Sequence, residues 1–199
     1  MDPTHFNKKF KEELRANYSV AEVNSAFHLL SEKYFKTNAD NDESAINWQK
    51  NKLEEAIQRL KNNEPLEYIL GEALFFGRVF KVNSNVHVPR VESETMINWV
   101  LEDFREIAKK MSLDLLDIGT GSGVLPITLK SEMPEISVSA MDISQKALEI
   151  ARENADRLNT PIEFLQTDLF QLKSLPKKFD IIVSNPPYIL KNAQKDVQR

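Results

Sequence analysis

The stretch from Leu113 to Gly123 reads Leu-Asp-Leu-Leu-Asp-Ile-Gly-Thr-Gly-Ser-Gly. A short apolar run gives way to three glycines within five positions, Gly119, Gly121 and Gly123. The pattern predicts a strand that ends in a backbone obliged to turn tightly or to approach something closely. The rest of the chain sharpens the contrast, since only 5 glycines occur in 199 residues where about 7% would be ordinary. A second apolar run, Ile136 to Met141, ends at Asp142, 23 residues beyond Gly119.

Downstream of the glycines a helix is predicted from near Val124, with Pro126 tolerated in the first turn, where its N–H would be unpaired in any case. Ser144 to Leu158 reads as a helix with Ala147, Leu148, Ala151, Ala155 and Leu158 facing inward. Ile162 to Gln166 is a third strand and Phe179 to Ser184 a fourth. Strands that alternate with helices predict an α/β fold with a parallel sheet covered on both faces. Upstream, Ser93 to Lys110 is a predicted helix. Pro65 to Pro89 is rich in aromatic and β-branched residues, and Val79 to Val82 before Asn83-Ser84-Asn85 suggests a β-hairpin turning at the asparagines. Phe6, Phe10 and Leu14, then Val20, Val23, Phe27, Leu30 and Tyr34, then Leu53, Ile57 and Leu60 recur at helical spacing. Thr37 to Ser44 is a loop by composition. The division is a helical domain over 1–63, a hairpin linker over 64–92 and an α/β domain over 93–199.

Composition closes several routes. Apolar residues at 41% and charged residues at 28% belong to a folded domain. The chain has no Cys, hence no disulfide framework and no thiolate, and three scattered histidines (His5, His28, His87) make a poor metal cage. No apolar run approaches the roughly 20 residues that span a bilayer, and the N-terminus lacks a basic segment followed by an apolar one, so a cytoplasmic protein is expected. Residues 1–63 carry ten basic and ten acidic side chains, and residues 64–199 carry 16 and 20. Neither half offers the basic footprint of a nucleic-acid binder.

Two constellations carry chemistry. Where a first strand meets a Gly-rich turn and helix, an acidic residue about 20 positions on can take both hydroxyls of a ribose, so the loop with Asp142 predicts an adenosine-type cofactor. The spacing is G-x-G-x-G, with no lysine following, which favours a ligand without phosphate. The alternative is a structural turn with a helix-terminal carboxylate. The second constellation is Asn185-Pro186-Pro187-Tyr188 at the end of the fourth strand. Each proline forces its predecessor towards extended geometry, so the Asn185 side-chain oxygen and the Pro186 carbonyl stand ready to accept both hydrogens of a planar NH2 group, with Tyr188 against its face. The alternative is a rigid turn with a surface aromatic.

Together, the glycine loop with Asp142, Asn185 to Tyr188, the segment EPLEYILGEALFFGRVFKVNSNVHVPR over 64–90 and the helical stretch in front resemble the release-factor glutamine N5-methyltransferases, the HemK/PrmC family. The resemblance implies a Rossmann-like S-adenosylmethionine-dependent methyltransferase domain. It also implies methyl transfer to the Gln side chain of the Gly-Gly-Gln motif in class I peptide chain release factors, with no nucleic acid, membrane or metal as partner. Carried over, Asp117, Gly119, Thr120, Gly121, Ser122, Gly123 and Asp142 hold the amino-acid and ribose parts of the cofactor, and Asp168 and Leu169 lie near the adenine. Asn185 touches both methyl donor and Gln amide, and Pro186, Pro187 and Tyr188 complete the Gln pocket, with Asn185, Pro186 and Tyr188 as the catalytic set. One segment departs from the family pattern I-P-R-P-E-T-E, since Val88 to Glu94 reads Val-Pro-Arg-Val-Glu-Ser-Glu and keeps the hydroxyl as Ser93. The rivals are amino-group methylation of a nucleic-acid base and a non-catalytic binding module. Eleven residues follow Tyr188 where the family's sheet continues through further strands, so a C-terminally truncated member with an unpaired fourth-strand edge is expected.

Overall fold

The computed structural model describes residues 3–35, 43–175 and 177–186. The chain divides into two compact units, Met1–Glu72 and Ala73–Arg199.

The first unit is helical: α1 (Pro3–Leu14), α2 (Val20–Phe35), α3 (Glu43–Lys61) and the short α4 (Leu66–Leu70). Ser19 and Glu22 open α2 as a reciprocal cap, the Ser19 N–H donating to the Glu22 carboxylate at 2.8 Å and the Glu22 N–H to Ser19 Oγ at 3.3 Å. Phe6, Phe10, Leu14, Val23, Leu30, Tyr34, Leu53, Ile57 and Leu60 form the core with Ile69 and Leu70 of α4. Val20, expected on the apolar stripe, is 75% exposed because it is the first residue past the cap, before the buried face of α2 begins. The loop expected over Thr37 to Ser44 lies outside the described residues up to position 42, and α3 begins at Glu43.

The second unit opens on a hairpin of β1 (Glu72–Phe75) and β2 (Arg78–Lys81). Its turn is Phe76-Gly77, both at positive φ (48° and 71°), and not the Asn83–Asn85 stretch read from the sequence. Two left-handed residues match the twist of a two-residue hairpin loop. Phe76 is held in that conformation by its N–H donating to Glu94 Oε1 at 2.9 Å and its carbonyl accepting from Arg78 at 3.1 Å. Asn83 instead makes a turn of its own, its side chain accepting the Asn85 N–H at 2.9 Å.

After α5 (Val91–Ala108) come β3 (Asp114–Ile118), α6 (Val124–Glu132), β4 (Ser137–Asp142), α7 (Gln145–Arg157), β5 (Glu163–Gln166) and β6 (Ile181–Val183). Each of the four strands expected past Leu113 is present, and all pair in parallel in the order β5-β4-β3-β6. Phe75, Phe80, Ile97, Leu115, Ile127, Leu129 and Ile181 share one core, so the hairpin and α5 pack with the sheet and helices of this unit. Glu132 on α6 accepts from Arg78 at 2.7 Å and from Arg105 on α5 at 2.6 Å, fastening these elements from outside. The hydrogen bonds of Arg78, ahead of its charge and that of Arg105, hold the Glu132 carboxyl below the usual range.

The strand order decides where a ligand can sit. From β3 the chain steps to β4 and β5 on one side, then returns to place β6 on the other. The order therefore reverses between β3 and β6, and in open parallel sheets ligands collect outside the strand carboxyl ends at such a reversal. Among the described residues β6 pairs on one side only, and Ile182 is 52% exposed.

Candidate functional site

At the carboxyl end of β3 the backbone turns through Gly119, Gly121 and Gly123, all left-handed with φ of 76°, 57° and 81°. The Gly119 and Thr120 N–H groups donate to the Met141 carbonyl at 2.8 and 3.1 Å, and Gly123 N–H donates to the Thr120 carbonyl at 2.9 Å. The three glycines do different work. A Cβ on Gly123 would stand 2.9 Å from Ile127 Cδ1 and 3.1 Å from Ala151 Cβ, so this glycine lets α6 start hard against α7. Nothing lies within 4 Å of a Cβ built on Gly119 or Gly121, so that side of the loop is open.

Asp142 ends β4 and grips the loop. Its Oδ2 accepts the Gly121 N–H at 2.9 Å and its Oδ1 the Ser144 N–H at 2.9 Å, while Ser144 caps α7 by accepting the Ala147 N–H at 3.2 Å. Each carboxylate oxygen keeps a further acceptor position. Behind the loop, both Asp117 oxygens and Thr120 Oγ1 are buried and, among the described residues, none has a partner at ordinary hydrogen-bond geometry, although the Thr120 hydroxyl is near enough to the carboxyl to influence it. Burial pushes the Asp117 carboxyl up to about 7, tempered by Thr120 and reinforced by the negative charge of Asp142. Buried polar atoms without partners are unusual in a folded chain. Two acidic residues and a hydroxyl with spare acceptor capacity, against an open glycine loop, fit a ligand bearing an ammonium and vicinal hydroxyls.

Asp168 follows β5 and caps a single turn at Leu169–Gln171, its Oδ1 accepting the Phe170 N–H and its Oδ2 the Gln171 side chain, each at 2.9 Å. With both oxygens engaged, Asp168 shapes this turn, and exposed Leu169, Phe170 and Ile143 line the same strand edge. Ile143 and Phe170 were not singled out in the sequence. Large apolar side chains left exposed are the feature that marks them, and exposure is not readable from residue type alone.

The end of β6 comes to the same edge. Ser184 Oγ donates to the Ile118 carbonyl at 2.8 Å, which fixes the residue before Asn185 against the start of the glycine loop. Asn185 Nδ2 donates to Ser93 Oγ at 2.8 Å, and its Oδ1 has no partner among the described residues. Pro186 is exposed; Pro187 and Tyr188 lie outside the described residues. The sheet thus brings Asp117, the loop 119–123, Asp142, Asp168, Leu169, Asn185 and Pro186 to one edge.

Residues 99–198 match a protein family described as "Methyltransferase small domain". Over 200 residues the chain is 34% identical to the release factor glutamine methyltransferase of Flavobacterium psychrophilum, covering 98% of this chain and 70% of that protein. The chain belongs to the release factor glutamine methyltransferase family. Other members of the family share 41% identity over 143 residues in Bacillus subtilis (71% of this chain, 50% of that protein) and 43% over 148 residues in Koribacter versatilis (74% and 52%). The chain spans about half the length of these last two relatives. Among solved structures it is similar to the Pyrococcus abyssi tRNA (uracil-54, C5)-methyltransferase in complex with S-adenosyl-L-homocysteine, with a TM-score of 0.47 and 20% identity over 58% of this chain and 27% of that one. S-adenosylmethionine is the cofactor of this methyltransferase family. Among the described residues no helix is long and apolar enough to cross a membrane, and no group of His, Asp and Glu is arranged to hold a metal ion.

Proposed function

We propose that this chain takes part in methylating the side-chain nitrogen of the Gln in the Gly-Gly-Gln motif of class I peptide chain release factors. The observation that carries this reading is Asn185 itself. Its amide nitrogen is tied to Ser93 and its oxygen has no partner among the described residues, at the strand end that Ser184 fixes to the glycine loop.

When bound, S-adenosylmethionine supplies an electrophilic methyl group on a sulfonium. In this reading Asp142 offers one acceptor position per oxygen to the ribose hydroxyls, Asp117 and Thr120 offer buried oxygens to the amino-acid end, and Gly119 to Gly123 leave room for it. Leu169, beside the turn capped by Asp168, provides apolar surface for the adenine. Asn185 Oδ1 and the Pro186 carbonyl accept the two hydrogens of the Gln amide, and Pro187 and Tyr188 complete the pocket as the family resemblance implies.

An amide nitrogen is a poor nucleophile because its lone pair is delocalised. Holding both N–H groups aligns it, and alignment of reactants can contribute on the order of 7–11 kcal/mol. The same two acceptors favour the positive charge that grows on nitrogen as its bond to carbon forms. The carbon–sulfur bond would break as the nitrogen–carbon bond forms, with a neutral thioether as leaving group, and the nitrogen proton would then pass to solvent water, so no strong base is needed. The helical unit serves as the release-factor recognition domain, in the cytoplasm, and the hairpin links it to the methyltransferase domain.

The test presents the chain and labelled methyl donor with a class I release factor, the same factor with its motif Gln replaced by Ala, and duplex and single-stranded nucleic acid. Label on the unaltered release factor alone is expected. Label on nucleic acid, or equal label on both release factors, would overturn the reading.

A further inference from the structure

An asparagine can grip an NH2 group only if its oxygen faces that group. The two ends of a side-chain amide have nearly the same shape, so packing does not choose between them; hydrogen bonding does. If the Asn185 amide turned over, it would present N–H groups to the substrate N–H groups and lose the grip entirely.

Ser93 holds the amide in the orientation seen, its hydroxyl oxygen accepting from the nitrogen end. It lies in the first turn of α5, is 5% exposed, and stands 92 residues from Asn185 in sequence, with its Oγ 2.8 Å from Asn185 Nδ2. The anchor is itself well held. The Ser93 N–H donates to the Arg90 carbonyl at 3.0 Å, and the adjacent Glu94 accepts the Phe76 N–H from the hairpin turn at 2.9 Å. On the other side, Ser184 secures the backbone just before Asn185. Neither end can drift to relieve a missing bond.

We propose that Ser93 is a positioning residue for Asn185: by accepting from Nδ2 it fixes the amide with Oδ1 turned outward to receive the substrate NH2 group. The role rests on the proposed Gln methylation for its consequence in the reaction, and on the Ser93–Asn185 contact alone for the orientation. A residue that merely fills space in the first turn of α5 would be replaceable by any side chain of its size.

The test uses Ser93→Thr and Ser93→Val, which differ only by a hydroxyl in place of a methyl. In the 15N-labelled chain, with the Asn185 side-chain NH2 resonance assigned by its loss in Asn185→Asp, wild type and Ser93→Thr should show slow solvent exchange of that group. Ser93→Val should show exchange faster by about tenfold or more, the equivalent of one net hydrogen bond. With release factor as substrate, Ser93→Val should lower kcat by a similar factor and leave the dissociation constant for S-adenosylmethionine unchanged, while Ser93→Thr keeps both. Equal amide exchange in the Val and Thr variants would overturn the inference, as would faster exchange with an unaltered kcat. Should the wild-type chain methylate no Gln, the proposed function falls, and the exchange comparison still decides the orientation.

Discussion

Asn154 Nδ2 donates to the Ser122 carbonyl at 2.9 Å from a side chain with no solvent exposure, so α7 holds the glycine loop from behind. The same amide group donates to the Lys81 carbonyl at 3.0 Å, and its Oδ1 accepts the Lys81 N–H at 2.6 Å, which ties the hairpin to the loop through one residue. Replacing Asn154 with Ala strands three backbone groups, each worth about 1–3 kcal/mol when buried without a partner. Asn154→Ala should therefore lose roughly 3 kcal/mol or more in urea denaturation and bind S-adenosylmethionine more weakly in calorimetry. Asn154→Asp should be no better, because a carboxylate cannot donate to either carbonyl.

The three loop glycines should separate under substitution. Ala at 123 meets Ile127 at 2.9 Å and Ala151 at 3.1 Å, at a φ of 81°. Overpacking and backbone strain together should lower stability by about 2–4 kcal/mol. Ala at 121, also left-handed but with nothing within 4 Å of its Cβ, should cost about 1–2 kcal/mol of strain while reducing cofactor affinity more than Gly123→Ala does relative to its stability loss. Paired denaturation and calorimetry distinguish the two positions.

Asp117 makes the fold sensitive to pH in an unusual direction. Its folded carboxyl, raised by burial to about 7 from 3.8, holds a proton that the unfolded chain releases some three pH units lower. Between those values the folded state binds more protons, so stability falls as pH rises and the loss is complete above about pH 7. The full effect is on the order of 4 kcal/mol. Asp117→Asn keeps the shape without the charge, and should show a flatter stability profile between about pH 5 and pH 8 and a higher Tm than wild type at the alkaline end. Parallel profiles for the two proteins would show that Asp117 does not titrate in this way.

Much of this architecture was legible from residue order because its decisive signals are local. A parallel strand covered on both faces reads as a largely apolar run, and Leu113 to Ile118 and Ile136 to Met141 are apolar at most positions, broken by Asp114 and Asp117 and by Ser137 and Ser139; they match β3 (Asp114–Ile118) and β4 (Ser137–Asp142) to within a residue. The hairpin turn was not legible. Asn83-Ser84-Asn85 is a stronger turn signal than Phe76-Gly77, and the contact from Glu94 that retains Phe76 at positive φ comes from 18 residues away. Asn154 is missed for a related reason, and Ser93 stands out in the sequence only as the hydroxyl kept where the family pattern has Thr. Each is a polar residue in a helical stretch, given meaning by partners up to 92 residues distant. The glycines announced a special loop, but not that Gly123 serves packing while Gly119 and Gly121 keep space open.

The most direct test is tandem mass spectrometry of a class I release factor after incubation with the chain and S-adenosylmethionine. The expected result is a gain of one CH2 on the Gly-Gly-Gln peptide, located on the Gln side-chain nitrogen and lost with Asn185→Ala. An unmodified Gln in the presence of bound cofactor, or a methyl group on any other residue of the factor, would contradict it.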